Sequence, residues 1–182
     1  MEKLLIIVGL PGSGKSFAAE VVKEEFKASV FKSGDLIREE IKSRGLKYTP
    51  ENDAKIAHWF HTSGRERLLI KRLFDKIERT NRKLVVVDGL RSVQQLKYVK
   101  SHFESPIIIY IKSSFESRAK RELKRKRFKK GETKEYIRFR DRLEKSHGVL
   151  GLINKANYTI DNTSLTMPRF RNEVIKLVKN IA

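Results

Sequence analysis

Eight consecutive residues, Gly9-Leu10-Pro11-Gly12-Ser13-Gly14-Lys15-Ser16, carry the strongest chemical signal in the chain. They fit the pattern G-x-x-x-x-G-K-[ST] without a mismatch, directly after an apolar run and before a helical one. Glycine at positions 9, 12 and 14 permits backbone geometries that a side chain would block, so the loop can wrap its N–H groups around phosphate oxygens. The helix predicted next aims its positive N-terminal end at the same anion. Lys15 adds a point charge for the β- and γ-phosphates, and the Ser16 hydroxyl is placed to ligate Mg²⁺. Pro11, Ser13 and Phe17 complete the expected donor-nucleotide site, with ATP and Mg²⁺ as its cofactors. A phosphate cradle of this kind serves kinases, GTPases, ATPases and motors alike.

Two other segments end apolar runs. One is Lys32-Ser33-Gly34-Asp35-Leu36-Ile37-Arg38 and the other is Val85-Val86-Val87-Asp88-Gly89-Leu90-Arg91. Asp88 closes a buried strand beside the loop, where P-loop proteins place an acid that holds Mg²⁺. A carboxylate so buried is costly without a partner. Asp35 has two readings: a helix N-cap, or a base for a hydroxyl acceptor, which a phosphate acceptor does not need.

With the loop, these segments resemble the adenylate-kinase-like nucleoside monophosphate kinases, whose pattern is G-x-P-G-S-G-K, then T-G-D-x-x-R, then D-G-[FY]-P-R. The first stands here at residues 9–15. The second stands at 33–38 with Ser for Thr. The third is altered: Asp88-Gly89-Leu90-Arg91 lacks the proline and brings the arginine one position closer. The resemblance covers most of the chain and is strongest toward archaeal adenylate-kinase-related proteins, a group also likened to dephospho-CoA kinases. Arg44-Gly45-Leu46, Thr49-Pro50-Glu51-Asn52 and Arg140-Asp141 belong to it. It implies that Arg38 and Arg91 grip the acceptor's phosphate, with Gly34, Asp35 and Gly89 lining that site. A guanidinium suits the task because it meets phosphate through two parallel hydrogen bonds. Each arginine also reads as surface charge, Arg38 beside Glu39 and Glu40. In dephospho-CoA kinases an aspartate after the second strand can act as base, so Asp35 separates two acceptor chemistries, AMP or a similar nucleotide against a hydroxyl.

The family also implies a lid after the fourth strand. Here that segment holds Arg118, Lys120, Arg121, Lys124, Arg125, Lys126, Arg127, Lys129 and Lys130, followed by Arg138, Arg140 and Arg142. Arg118 is the expected partner of the adenine face. Arg140 is the expected partner of the transferring phosphate, with Arg125 behind it. The other cations read as a solvated helix face. There is no cysteine, which excludes disulfides and a zinc-stapled lid. His58, His61, His102 and His147 lack the spacing of a ligand set, and His58 and His61 read as structural.

The elements that must position these residues follow from alternating apolar and helical runs, which predict an α/β fold: a P-loop NTPase three-layer sandwich with a five-stranded parallel sheet and helices on both faces. Strands are expected at 4–8, 29–31, 84–87, 107–111 and 158–160. The first, third and fourth read as buried on both faces, and the fifth as an edge. Helices are expected at 15–26, 35–44, 51–79, 93–102, 115–128, 134–150 and 168–180. The 182 residues fit one domain, with an acceptor insertion at about 35–80 and a lid-like segment at about 115–145. No apolar run reaches the roughly 18 residues of a membrane span, and residues 4–8 are too short for a signal-peptide core. A cytoplasmic protein without a membrane partner is the expectation, and no feature specifies an oligomeric state. The formal net charge of +19 attracts anions. Nucleotides, nucleic acid and heat adaptation each account for it, but no RNA-binding signature accompanies it, which disfavours nucleic acid.

Overall fold

The computed structural model describes residues 3–62, 64–125 and 133–181. Five parallel strands form one sheet: β1 (Lys3–Val8), β2 (Ser29–Lys32), β3 (Leu84–Asp88), β4 (Ile107–Lys112) and β5 (Tyr158–Asp161). Their order is β2-β3-β1-β4-β5, so β5 is an edge strand as its alternating pattern predicts. Helices cover both faces, which is why β1 and β3 are nearly continuous apolar runs. Leu4, Ile6 and Val8 face one core with α2 (Ser33–Ser43), α3 (Pro50–Phe60), α4 (Glu66–Ile77) and α5 (Val93–His102). Leu5 and Ile7 face the other, with α1 (Lys15–Phe26) and α9 (Met167–Ile181). This three-layer α/β architecture is the expected one.

Several element boundaries differ from expectation. The stretch 51–79 is two helices, because Gly64 sits at φ +75 and breaks the run. Thr49 caps the first of them by accepting from Asn52 N at 3.2 Å, with Pro50 in its first turn. The stretch 134–150 is α7 (Lys134–Ser146) followed by the short α8 (Val149–Ile153), divided at Gly148 with φ +97. Helix α2 starts at Ser33, so Asp35 is its third residue. The N-cap is Lys32, and the N-cap reading of Asp35 is corrected accordingly. Helix α6 (Phe115–Arg125) is followed by a stretch that takes Lys126, Arg127, Lys129 and Lys130 outside the described residues. Among the described residues, no helix is long and apolar enough to cross a membrane.

Candidate active site

The loop between β1 and α1 depends on its glycines. Gly12 and Gly14 lie at φ +76 and +105, in the left-handed region that side chains disfavour. A Cβ on Gly12 would stand 2.6 Å from the Arg118 carbonyl oxygen. One on Gly14 would stand 2.6 Å from Asn162 Nδ2 and 2.9 Å from the Phe170 ring. The loop is also held from outside: Asn162 Nδ2 donates to Ser13 O at 2.9 Å. Lys15 opens α1. Burial pushes its ammonium below the ordinary lysine range; Asp88 and Glu144 oppose that shift, while Arg91 and Arg140 add to it. An anion beside Lys15 would favour its charged form.

The register of β1 on β3 sets Asp88 beside Ile7. Its carboxylate is 5 % exposed and accepts a 2.6 Å hydrogen bond from Ser16 Oγ through Oδ2. The end of β3 also receives α2: Ser33 Oγ donates to Gly89 O at 2.7 Å. One turn on, Arg38 pairs with Asp35, its neighbour at i−3. Arg38 also bonds the Tyr48 side chain. Arg91, after β3, has its guanidinium Nε 3.1 Å from Glu144 Oε2.

Helices α6 and α7 lie over the loop. Arg118 differs from its expected place on the adenine face. It is 3 % exposed; its two terminal nitrogens bond both oxygens of Asp141 at 2.8 and 2.6 Å, and Nη1 also donates to Pro11 O at 3.0 Å. No face of this guanidinium is open to a base. Arg121, one turn along, bonds Gly12 O and Asn162 O. Arg140 donates to Glu122 Oε2 at 2.9 Å, and Arg125 lies 3.7 Å from Glu122 Oε1.

These elements enclose a cavity of about 560 Å³. Its wall brings together Pro11, Gly12, Gly14, Lys15, Ser16 and Phe17 with Gly34, Asp35, Arg38, Asp88, Gly89, Arg91, Arg125 and Arg140. Of the expected site residues, Gly9, Ser13 and Arg118 are not on the wall. Sequence reasoning missed Glu20, Lys32, Arg121 and Glu122, which are. Lys32 donates to Glu20 at 2.6 Å. Glu20 stands one turn beyond Ser16 on α1, and that i, i+4 spacing was the available signal.

Three of the four histidines converge, a contact that the spacing of His58 and His61 from His147 does not announce. His61 and His147 stack at 4.3 Å between ring centroids, and His58 lies 5.9 Å from His147. His61 and His147 are each 7 % exposed, and none of their four ring nitrogens has a hydrogen-bond partner. Burial, then the neighbouring Arg91, lowers His61 to about 2 and His147 to about 4. Among the described residues, no group of three or more His, Cys, Asp or Glu could hold a metal ion.

A family model described as an AAA domain matches residues 8–138. The chain is 32 % identical over 181 residues to a UPF0200 protein of Methanosarcina mazei, covering 99 % of this chain and 96 % of that one. It is 35 % identical over 185 residues to a UPF0200/UPF0201 protein of Archaeoglobus fulgidus, covering 98 % of this chain but spanning only 57 % of the length of that relative. Among solved structures it is similar to shikimate kinase from Acinetobacter baumannii in complex with shikimate, with a TM-score of 0.55 at 16 % identity, covering 99 % of this chain and 94 % of that one. TT1252 from Thermus thermophilus gives a TM-score of 0.63 at 16 % identity, covering 100 % and 98 %. The P-loop kinase-like fold is common to the sequence pattern and these structures, and the chain belongs to the UPF0200 family, with the AAA domain spanning residues 8–138.

Proposed function

We propose that this protein is an ATP-dependent phosphotransferase whose acceptor is a small phosphate-bearing molecule, with a nucleoside monophosphate such as AMP as the leading candidate. The observation that carries this reading is that Arg38 and Arg91 line the same cavity as Lys15 and Ser16. Seven cationic side chains on the wall (Lys15, Lys32, Arg38, Arg91, Arg121, Arg125 and Arg140) stand against four carboxylates (Glu20, Asp35, Asp88 and Glu122). Such a wall suits two polyanions brought together.

In this reading the loop N–H groups and Lys15 hold the donor phosphates. Ser16 and Asp88 fit a Mg²⁺ ion, since both present hard oxygen donors on the cavity wall. The ion would neutralise charge on the donor phosphates. Arg38 and Arg91 orient the acceptor phosphate, and one of its ionised oxygens attacks the γ-phosphorus. The bond from that phosphorus to the β-phosphate oxygen breaks, so ATP and AMP become two ADP. No base is needed, and positioning and charge supply the catalysis. Arg140, with Arg125 beside it, bears on the charge of the transferring group.

A second reading has a specific observation behind it: the half-exposed carboxylate of Asp35 lines the cavity. That carboxylate could take the proton of a hydroxyl acceptor. The fold match to a kinase holding shikimate, a hydroxy acid, is compatible with this chemistry. A cytoplasmic setting, where ATP is supplied, suits either acceptor.

The test is ADP formation by purified protein from ATP with AMP, CMP, GMP and UMP in turn, repeated with Lys15→Ala. Turnover with one of them, lowered about a hundredfold or more in the variant, is expected. ATP binding without product from any of the four would overturn the nucleoside monophosphate reading.

A further inference from the structure

Glu144 is a part-buried carboxylate at the last turn of α7, outside every sequence motif recognised above. Its side chain is 13 % exposed and that of Arg91 is 17 % exposed. It is not on the cavity wall, whereas Arg91 is. The carboxylate therefore stands behind the guanidinium and meets it through Nε. The ion pair is closest at Nε, and the two terminal nitrogens of a guanidinium form a fork that matches phosphate. The Arg140–Glu122 pair differs, since Glu122 itself lines the cavity.

The surroundings keep this contact in place. Arg91 N donates to Gln95 Oε1 at 2.8 Å, and Ser92 Oγ donates to Glu66 Oε2 at 2.6 Å, which fixes the backbone after β3. Gly148, which follows α7, packs against the Arg91 carbonyl: a Cβ there would lie 3.7 Å from it. The stacked His61 and His147 rings hold the end of α7 against the end of α3. Both rings are neutral at pH 7, so neither adds a cation that would draw Glu144 away. Burial works against the Glu144 charge, yet Arg91, Lys15 and Arg140 together hold its carboxyl below the ordinary range.

We propose that Glu144 is a positioning residue for the acceptor site: it orients the Arg91 guanidinium so that the terminal fork faces the acceptor phosphate, while its charge also supports Lys15 on the donor side. The inference rests on the phosphotransferase reading and adds to it a residue that touches neither substrate.

The experiment is calorimetric titration of AMP, CMP, GMP and UMP into wild-type protein and into Glu144→Gln, Glu144→Asp, Arg91→Ala and the Arg91→Ala/Glu144→Gln double variant, with thermal melts of each. Kinetic constants for ATP and for the accepted monophosphate are measured alongside. Glu144→Gln is expected to weaken monophosphate binding by roughly tenfold to a hundredfold, the range found when an outer partner of a ligand-holding side chain is removed. KM for the acceptor should rise more than KM for ATP. Glu144→Asp, which keeps the charge, should recover part of the loss and supplies the answer if the glutamine variant does not fold. In the Arg91→Ala background the Glu144 change should have little further effect. Tighter binding in Glu144→Gln would make Glu144 a placeholder that phosphate must displace, and overturns the inference. Unchanged binding, or additive losses in the double variant, also overturns it while leaving the phosphotransferase reading intact. If wild-type protein binds none of the four monophosphates, the nucleoside monophosphate reading falls and the inference with it.

Discussion

Arg118 on α6 and Asp141 on α7 are joined by two parallel hydrogen bonds of 2.8 and 2.6 Å, and the same guanidinium donates to the carbonyl of Pro11 in the phosphate loop. Both side chains are buried. One ion pair thus ties α6 and α7 to the phosphate loop. Removing one partner of such a pair strands a charge, which typically costs about 3–5 kcal/mol. Asp141→Ala should lower stability by that order in denaturant unfolding, and weaken ATP binding through the loop. A loss below about 1 kcal/mol would show that Arg118 finds water or another carboxylate in the variant.

The loop itself predicts a sharper effect. Gly12→Ala would set a Cβ 2.6 Å from a backbone oxygen at a positive φ, with no flexible side-chain end to yield. ATP binding should be lost or reduced by at least about a hundredfold, equivalent to roughly 2.7 kcal/mol. Gly45→Ala is the control: it also has positive φ, but nothing stands within 4 Å of its Cβ position. It should bind ATP normally and show only a small loss of stability, read by calorimetry and melting respectively.

The histidine stack makes stability depend on pH. In the unfolded chain a histidine takes its proton near 6.5, whereas in the fold His147 does so at about 4 and His61 at about 2. The unfolded state therefore binds more protons in the intervening window. Stability is full above pH 6.5 and declines as pH falls toward 4, each histidine contributing a slope of at most about 1.4 kcal/mol per pH unit. His61→Phe should flatten this decline, and should raise stability more at pH 5 than at pH 8, because two buried nitrogens without partners are removed. Melting curves at both pH values provide the check, and equal effects at the two would refute the account.

Asp35 separates the acceptor chemistries. With a phosphate acceptor, Asp35→Asn should change turnover modestly, since the reacting oxygen is already ionised. With a hydroxyl acceptor it should lower turnover by about a hundredfold or more while ATP affinity stays the same. Steady-state rates with ATP and each accepted substrate, beside ATP calorimetry, decide between them.

What the sequence conveyed best was what depends on local spacing. The phosphate loop, the paired ends of β2 and β3 and the arginines at 38 and 91 are each a few residues from a strand terminus, and the parallel sheet carries them to one edge. Arg118 was misread because its partner Asp141 is 23 residues away on another helix, and nothing near Arg118 announces a buried carboxylate. The cap was one of two readings of Asp35, because a short polar side chain before an apolar run suits that position. The helix begins two residues earlier, where Ser33 is anchored to Gly89 from across the sheet. Glu144 and the His61–His147 stack left no local trace, since both arise where the ends of α3 and α7 meet.

Arg118 and Arg121 occupy successive turns of α6 and reach the carbonyls of Pro11 and Gly12 respectively. Their common direction rests on the phase of the helix. One residue inserted between Phe115 and Arg118 would rotate everything after it by about 100°, turning both guanidiniums off the loop at once. Length changes in this part of the chain should therefore be far less tolerated than substitutions, and natural insertions and deletions should fall outside residues 115–122.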